Sequence, residues 1–285
     1  MKTVNARVIR RSTTFRSTFA DSLNCIMSQQ GLKKEEMSEP REPLDAQVAD
    51  DLIRAASAIS NALVSVFEGI NQIRDRVIEV RRDVVERRKL FTPQHLAGLR
   101  PLILEQLKRR PFLDGLGILA ASDLFADRTR YLEWWRQDIN DVIPLWLNFD
   151  PTSVDIYDYL EMEWFTRAQR DNAKTVFGPY VDYTGADHYV LTMTVPVVDE
   201  VFIGVVGADL RMSLFEAEIL PVLYDLDWEV VLVNSERRVV STNSQRWTVG
   251  SRLATIPEVS EGGFVAIAEI GTDSDWVLAA VKLVE

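Results

Sequence analysis

The chain is poor in the residues that most often carry metal or redox chemistry. Of its 285 residues one is cysteine, Cys25, and two are histidine, His95 and His188. A single thiol excludes an internal disulfide framework and any multi-cysteine metal site. Two histidines leave little for a histidine-rich zinc site. No stretch approaches the roughly 18 consecutive apolar residues of a membrane span. An excess of base is lacking too: 43 acidic residues face 32 basic ones, a formal charge of −11. Such a chain is ill suited to gripping a phosphate backbone, so no nucleic-acid partner is expected. Its field attracts cations instead. Catalytic signatures are absent as well. There is no P-loop, no Gly-x-Ser-x-Gly elbow, no His-Glu-x-x-His and no dinucleotide fingerprint. Gly115-Leu-Gly117 is too short to count. Carboxylates are plentiful, but no pair of them is singled out for glycosidase-like chemistry. The chain is expected to be no enzyme and to need no cofactor.

What is present is ordinary for a soluble globular protein, with 47% apolar and 26% charged residues. Residues 1–44 carry eight bases and five acids. They lack the apolar run and cleavage pattern of a signal peptide. They are expected to be a flexible leader, and the protein is expected to be cytoplasmic. Residues 45–285 are expected to form one domain.

Between residues 45 and 90 there is no proline and one glycine, Gly69. Leu52, Ala56, Ile59, Leu63, Val66, Ile70, Ile73, Val77, Val80 and Val84 follow one another in steps of four and three. That heptad seam predicts a single helix over 45–90. A seam this long exceeds what one sheet covers, so a homodimer through the helix is expected. Thr92-Pro93 starts a second helix, running to Arg109. Residues 115–122 read as a buried strand, 129–141 as a helix holding Trp134 and Trp135, and 157–170 as helical. Three antiparallel strands follow at 176–181, 189–197 and 201–210, with turns at 184–187 and 198–200. A helix over 212–226 and two hairpins, 228–242 and 264–283, complete the chain. The fold class is α+β: a long N-terminal helix, then an antiparallel sheet with flanking helices.

One cluster stands out chemically. Tyr157, Asp158, Tyr159, Glu161, Glu163, Trp164 and Phe165 are followed by Tyr180, Asp182, Tyr183 and Asp209. Aromatic faces beside carboxylates suit a cationic ligand. A plain core of rings under solvated acids fits the same residues. Asp209 ends an apolar strand, where a carboxylate needs a partner; it either pairs with a cation or caps the next helix. His188 reads as a surface histidine beside a turn.

The run Trp164-Phe-Thr-Arg-Ala168, Gly178-Pro-Tyr-Val-Asp182, Leu191-Thr-Met-Thr-Val-Pro196 and Phe202-Ile-Gly-Val-Val-Gly-Ala-Asp209-Leu210 resembles Cache sensor domains. These are PAS-like ligand-binding modules of bacterial chemoreceptors and histidine kinases. The likeness is strongest over 150–215. Its spacing is similar to the amino-acid-sensing branch. The resemblance implies ligand contacts at Tyr157, Trp164, Tyr180 and Asp209. Phe165 stands where that branch has a tyrosine, and Met162 where it has the arginine that helps hold the ligand's α-carboxylate. Methionine has no donor for a carboxylate. Asp209 and Tyr180, the ammonium side, are kept, with Asp158, Glu161, Glu163 and Asp182 nearby. The resemblance therefore implies a sensor of a small amine. Arg167 or Arg170 replacing the missing clamp leaves an amino acid as the alternative. With no span or output module seen, it implies a soluble stand-alone protein that signals to a separate signalling, regulatory or transport partner. A competing reading from another class is an assembly subunit with a vestigial pocket; an enzyme of amine metabolism comes third.

Overall fold

The computed structural model describes residues 44–281, apart from 123, 139–140, 151, 155, 183–187, 260–262 and 272–273. The leader and Cys25 lie outside the described residues, as do Tyr183 and the turn expected at 184–187.

Helix α1 spans Leu44–Glu86, close to the expected limits. Short helix α2, Pro93–Leu96, begins at Thr92 with a proline in its first turn and a capping box closed by His95. A 3-10 turn, Ala97–Leu99, leads into α3, Arg100–Arg109. Strands β1 (Leu113–Ala120), β2 (Leu132–Gln137) and β3 (Val142–Pro144) come next. A 3-10 turn at Tyr159–Glu161 precedes α4, Glu163–Asp171. Then follow β4 (Thr175–Val181), β5 (Tyr189–Asp199), β6 (Val201–Arg211) and α5 (Met212–Tyr224). The chain closes with β7 (Glu229–Val233), β8 (Val239–Thr242), β9 (Phe264–Glu269) and β10 (Val277–Val281).

The α+β architecture is as expected, but the strands divide between two antiparallel sheets. One has the order β3-β2-β1-β6-β5-β4, the other β8-β7-β10-β9. Helix α1 packs across both, touching β5 and β6 of the first and β9 and β10 of the second. This arrangement removes the argument for a homodimer through the helix. Leu52, Ile59, Leu63, Ile70, Ile73 and Val77 are fully buried within one chain, and each such side chain contributes about 1.5–3 kcal/mol. The seam is long because it serves two sheets, and it is not free to pair with a second copy. Near the helix end Arg81 and Arg82 both grip Asp199, on the β5–β6 turn, at 2.8 Å.

The helix expected over 129–141 is instead strand β2 and its turn. Trp134 and Trp135 lie on opposite faces, one in the cluster beneath α4 and the other in the core under α1. That is the period-2 alternation of a strand. Space for Trp134 comes from β1: a Cβ on Gly115 would collide with its indole nitrogen, and one on Gly117 with the backbone of Glu133.

Candidate ligand pocket

The first sheet has two unlike faces. On β5, Leu191, Met193 and Val195 point into the core under α1, while Thr192 and Thr194 point the other way. On β6, Ala208 and Leu210 go to the core, whereas Gly207 and Asp209 go with the threonines. Helix α4 lies over this second face. Its Trp164 carbonyl accepts a bond from Thr194 Oγ1 at 3.3 Å. Tyr159 fastens the preceding turn, donating to the Ala120 carbonyl at 2.7 Å and accepting from the Tyr131 amide at 3.1 Å. Burial pushes the Tyr159 phenol up to about 12.

Between sheet and helix lies a pocket lined by Trp134, Tyr157, Trp164 and Tyr180, by Leu119, Leu132, Leu145 and Leu147, and by Thr192, Thr194, Asp182 and Asp209. Its volume is about 20 Å³, a little above the roughly 10–15 Å³ that one water needs. A ligand of several heavy atoms must therefore push wall side chains aside. Leu145 and Leu147, on the segment after β3, lie outside any helix or strand.

Polar groups converge on Asp209. Thr192 Oγ1 donates to its Oδ1 at 2.6 Å, and the Tyr180 hydroxyl lies 2.9 Å from Thr192 Oγ1. Asp209 keeps some exposure, but it lines the enclosed pocket. Burial pushes its carboxyl up to about 8, against the Thr192 bond that lowers it, with Asp182 and Asp114 adding like-charge repulsion. Burial, with Asp182, Tyr180 and Asp209 nearby, also raises the Tyr157 phenol far above its ordinary value. Tyr180 is raised the same way, first by burial and then by Asp209. Asp209 does not cap α5: the N-cap is Arg211, with no side-chain cap bond.

Of the residues singled out from the sequence, the structure thus gathers Tyr157, Trp164, Tyr180, Asp182 and Asp209 around one pocket. Phe165, Met162, Asp158 and Glu161 stand apart. Phe165 is buried behind Trp164, edge-on to Tyr159 and Phe202. Met162 is half-buried against the same cluster. Asp158 turns to Arg130, bound at 2.5 and 3.2 Å. Glu161 is exposed. Arg167 is exposed and 3.9 Å from Glu163, and Arg170 is paired with Asp171 at 2.7 Å. Neither lines the pocket, and no lysine or arginine does among the described residues. His188 is not a bare surface group: its Nδ1 lies 3.1 Å from Asp114 Oδ1. Sequence reasoning missed Trp134, Thr192, Thr194 and the four leucines as pocket residues. The threonines were findable, since they alternate with apolar neighbours on one strand face.

Residues 103–216 match the family model of the methyl-accepting chemotaxis protein-like first PDC sensor domain. Over that stretch the chain is similar to PDC, or Cache, sensor domains. The match takes in all six strands of the first sheet and the pocket, so the matched segment is the part that holds the candidate site. None of the curated proteins matches the chain. Solved ligand-binding domains of chemoreceptors share the fold. The ligand-binding domain of Pseudomonas fluorescens chemoreceptor CtaA, in complex with L-valine, is 15% identical, with a TM-score of 0.57 over 86% of this chain and 100% of that one. The ligand-binding domain of Pseudomonas aeruginosa PctB, in complex with L-Arg, is 16% identical, with a TM-score of 0.54 over 85% and 88%. That of Campylobacter jejuni Tlp3, in complex with L-valine, is 11% identical, with a TM-score of 0.56 over 83% and 91%. Among the described residues no helix is long and apolar enough to cross a membrane.

Proposed function

We propose that this sensor domain binds a small organic amine in the pocket under α4 and reports its presence to a separate partner protein. The observation that carries the reading is the make-up of the lining: the carboxyls of Asp182 and Asp209 among four aromatic rings, and no lysine or arginine among the described residues. Aromatic faces and carboxylates attract an ammonium, whose hydrogens Asp209 accepts. A ligand carboxylate finds no cation to hold it, and it would face two acids in a desolvated space. Apolar walls of leucine and tryptophan accept a short alkyl chain.

A second reading, an amino-acid sensor, is favoured by the amino acids named with the chemoreceptor domains of like fold. Calorimetry on matched pairs separates the two: isobutylamine against L-valine, and agmatine against L-arginine. Binding of the amine at equal or greater strength supports the first reading. Clear preference for the amino acid overturns it and means that another group holds the carboxylate.

A further inference from the structure

Among the described residues Asp209 has one side-chain hydrogen bond, from Thr192. The ionisable groups around it are acids and phenols: Tyr157 before the 3-10 turn, Tyr180 and Asp182 at the end of β4, and Asp114 on β1. The neighbouring basic side chains are committed elsewhere. Arg211, two residues along β6, is held by Asp114, and His188 meets the same Asp114 oxygen. Arg130 is bound to Asp158. From β5 and β2 the groups that face the pocket, Thr192 and Trp134, carry no charge. The charged residues of α4, Glu163, Arg167, Arg170 and Asp171, are exposed.

A carboxylate so placed is expensive, because the narrow ring-walled pocket admits little water and holds, among the described residues, no counter-ion. One of two things must neutralise it: a proton, or a cationic ligand. We infer that the pocket exchanges one for the other, so that each ligand arriving as a cation sends the Asp209 proton to solvent. The inference rests on the proposed cation-binding role and goes beyond it. The balance is simple. The ammonium enters with all its hydrogens, the Asp209 O–H bond breaks, the electron pair stays on the carboxylate, and H⁺ leaves to buffer. A base that arrives neutral takes the Asp209 proton itself, forms the same ion pair and releases none to buffer. Burial, which pushes the Asp209 carboxyl up to about 8, places the exchange in the neutral range. Below that value, affinity for a fixed cation should rise about tenfold per pH unit, and above it level off.

The test is titration calorimetry of the full chain with isobutylamine and agmatine, at pH 6.5 and 9, in two buffers of different ionisation enthalpy. The difference in heat between buffers counts protons released. Close to one proton per ligand at pH 6.5, close to none at pH 9, and affinity at least about thirtyfold higher at pH 9 are expected. Asp209→Asn should bind more weakly and release no proton. Isobutanol, the neutral analogue, should not bind. If the amines bind with no proton release and no pH dependence, the exchange is wrong while the amine reading stands. If neither amine binds at either pH, both fall. Release that persists in a folded Asp209→Asn protein places the proton elsewhere and overturns the assignment. The wild-type measurement decides the matter even if that variant does not fold.

Discussion

Thr192 and Asp209 stand directly opposite one another on β5 and β6, and the threonine hydroxyl donates to the carboxyl at 2.6 Å. The hydroxyl has one proton. Once that proton points at Asp209, the Tyr180 hydroxyl 2.9 Å away must donate to Thr192. A chain Tyr180–Thr192–Asp209 is thereby fixed in direction while Asp209 is ionised. Two neighbouring strands and the end of a third are tied through one threonine at the base of the pocket.

Thr192→Val tests that chain. The valine keeps the shape but removes the donor, and it takes from the half-buried Tyr180 hydroxyl the acceptor it had in Thr192. A hydrogen bond to a charged group contributes about 1.5–3 kcal/mol, so amine affinity near pH 8 should fall at least about tenfold. The Asp209 carboxyl should climb further, because the bond that lowers it is gone. Calorimetry on the variant reads the first effect, and the pH at which affinity levels off reads the second. Affinity within twofold of the parent would show that Thr192 does not orient Asp209.

The two glycines of β1 should separate binding from stability. At Gly115 the added methyl meets the Trp134 side chain; at Gly117 it meets the Glu133 and Trp134 backbone. A side chain can swing away, whereas paired backbone cannot. Gly117→Ala should therefore destabilise the fold by about 1–3 kcal/mol or more, seen as a lower urea midpoint. Gly115→Ala should tilt Trp134 into the pocket, costing ligand affinity more than stability. Equal loss of stability in both variants would contradict this division.

Local grammar made much of this legible in advance. The steps of four and three from Leu52 to Val84 located α1, and the β-branched runs located β4, β5 and β6. What covers α1 was not legible. A seam records that a face is buried, not by what, and the second sheet here does the work assigned to a second chain. Strand β2 was missed because Leu132-Glu-Trp-Trp-Arg-Gln137 is short and its adjacent tryptophans hide the alternation. Its signal lay in another strand, in the glycines at 115 and 117 that make room for an indole. Asp182, Tyr180 and Asp209 were found from composition and motif order. Asp158 was placed with them by nearness in sequence, yet its carboxylate turns to Arg130, 28 residues upstream.

Asp209→Asn should also alter stability in a pH-dependent way. An ordinary aspartate titrates near 4, whereas burial raises Asp209 to about 8 in the folded chain. Between those values the folded protein keeps a proton that the unfolded chain has lost. The contribution is fully present below about pH 4 and drains away as pH rises toward 8, by at most about 1.4 kcal/mol per pH unit. Asparagine does not titrate. The variant should gain on the parent steadily from pH 5 to pH 8 and by no more beyond it. Urea unfolding of both proteins at pH 5, 7 and 9, without ligand, checks this. A difference that stays constant across the three would place the Asp209 pKa near its ordinary value.

Met162→Arg should move ligand preference from amine toward amino acid. Met162 is the N-cap of α4 and half-buried beside the aromatic cluster, two residues before Trp164. An arginine there brings a fork of donors to a part of the structure where the described residues place no cation against the pocket. The preference of the parent protein, set by Asp209 and the rings, should be for the amine. In the variant the α-carboxylate gains a partner, and affinity for L-valine relative to isobutylamine should rise about tenfold or more, the scale of one charge-assisted bond. Two acids decide how much of this survives. Glu161 and Glu163 are both exposed near the new guanidinium, and pairing with either would draw it outward. Met162→Arg combined with Glu161→Gln and Glu163→Gln should then show the larger shift. The amine-to-amino-acid affinity ratio, measured by competition in one buffer at pH 8, reads the outcome directly. An unchanged ratio in the folded triple variant would mean that position 162 does not reach the ligand, and that the pocket is selected by Asp209 and its rings alone.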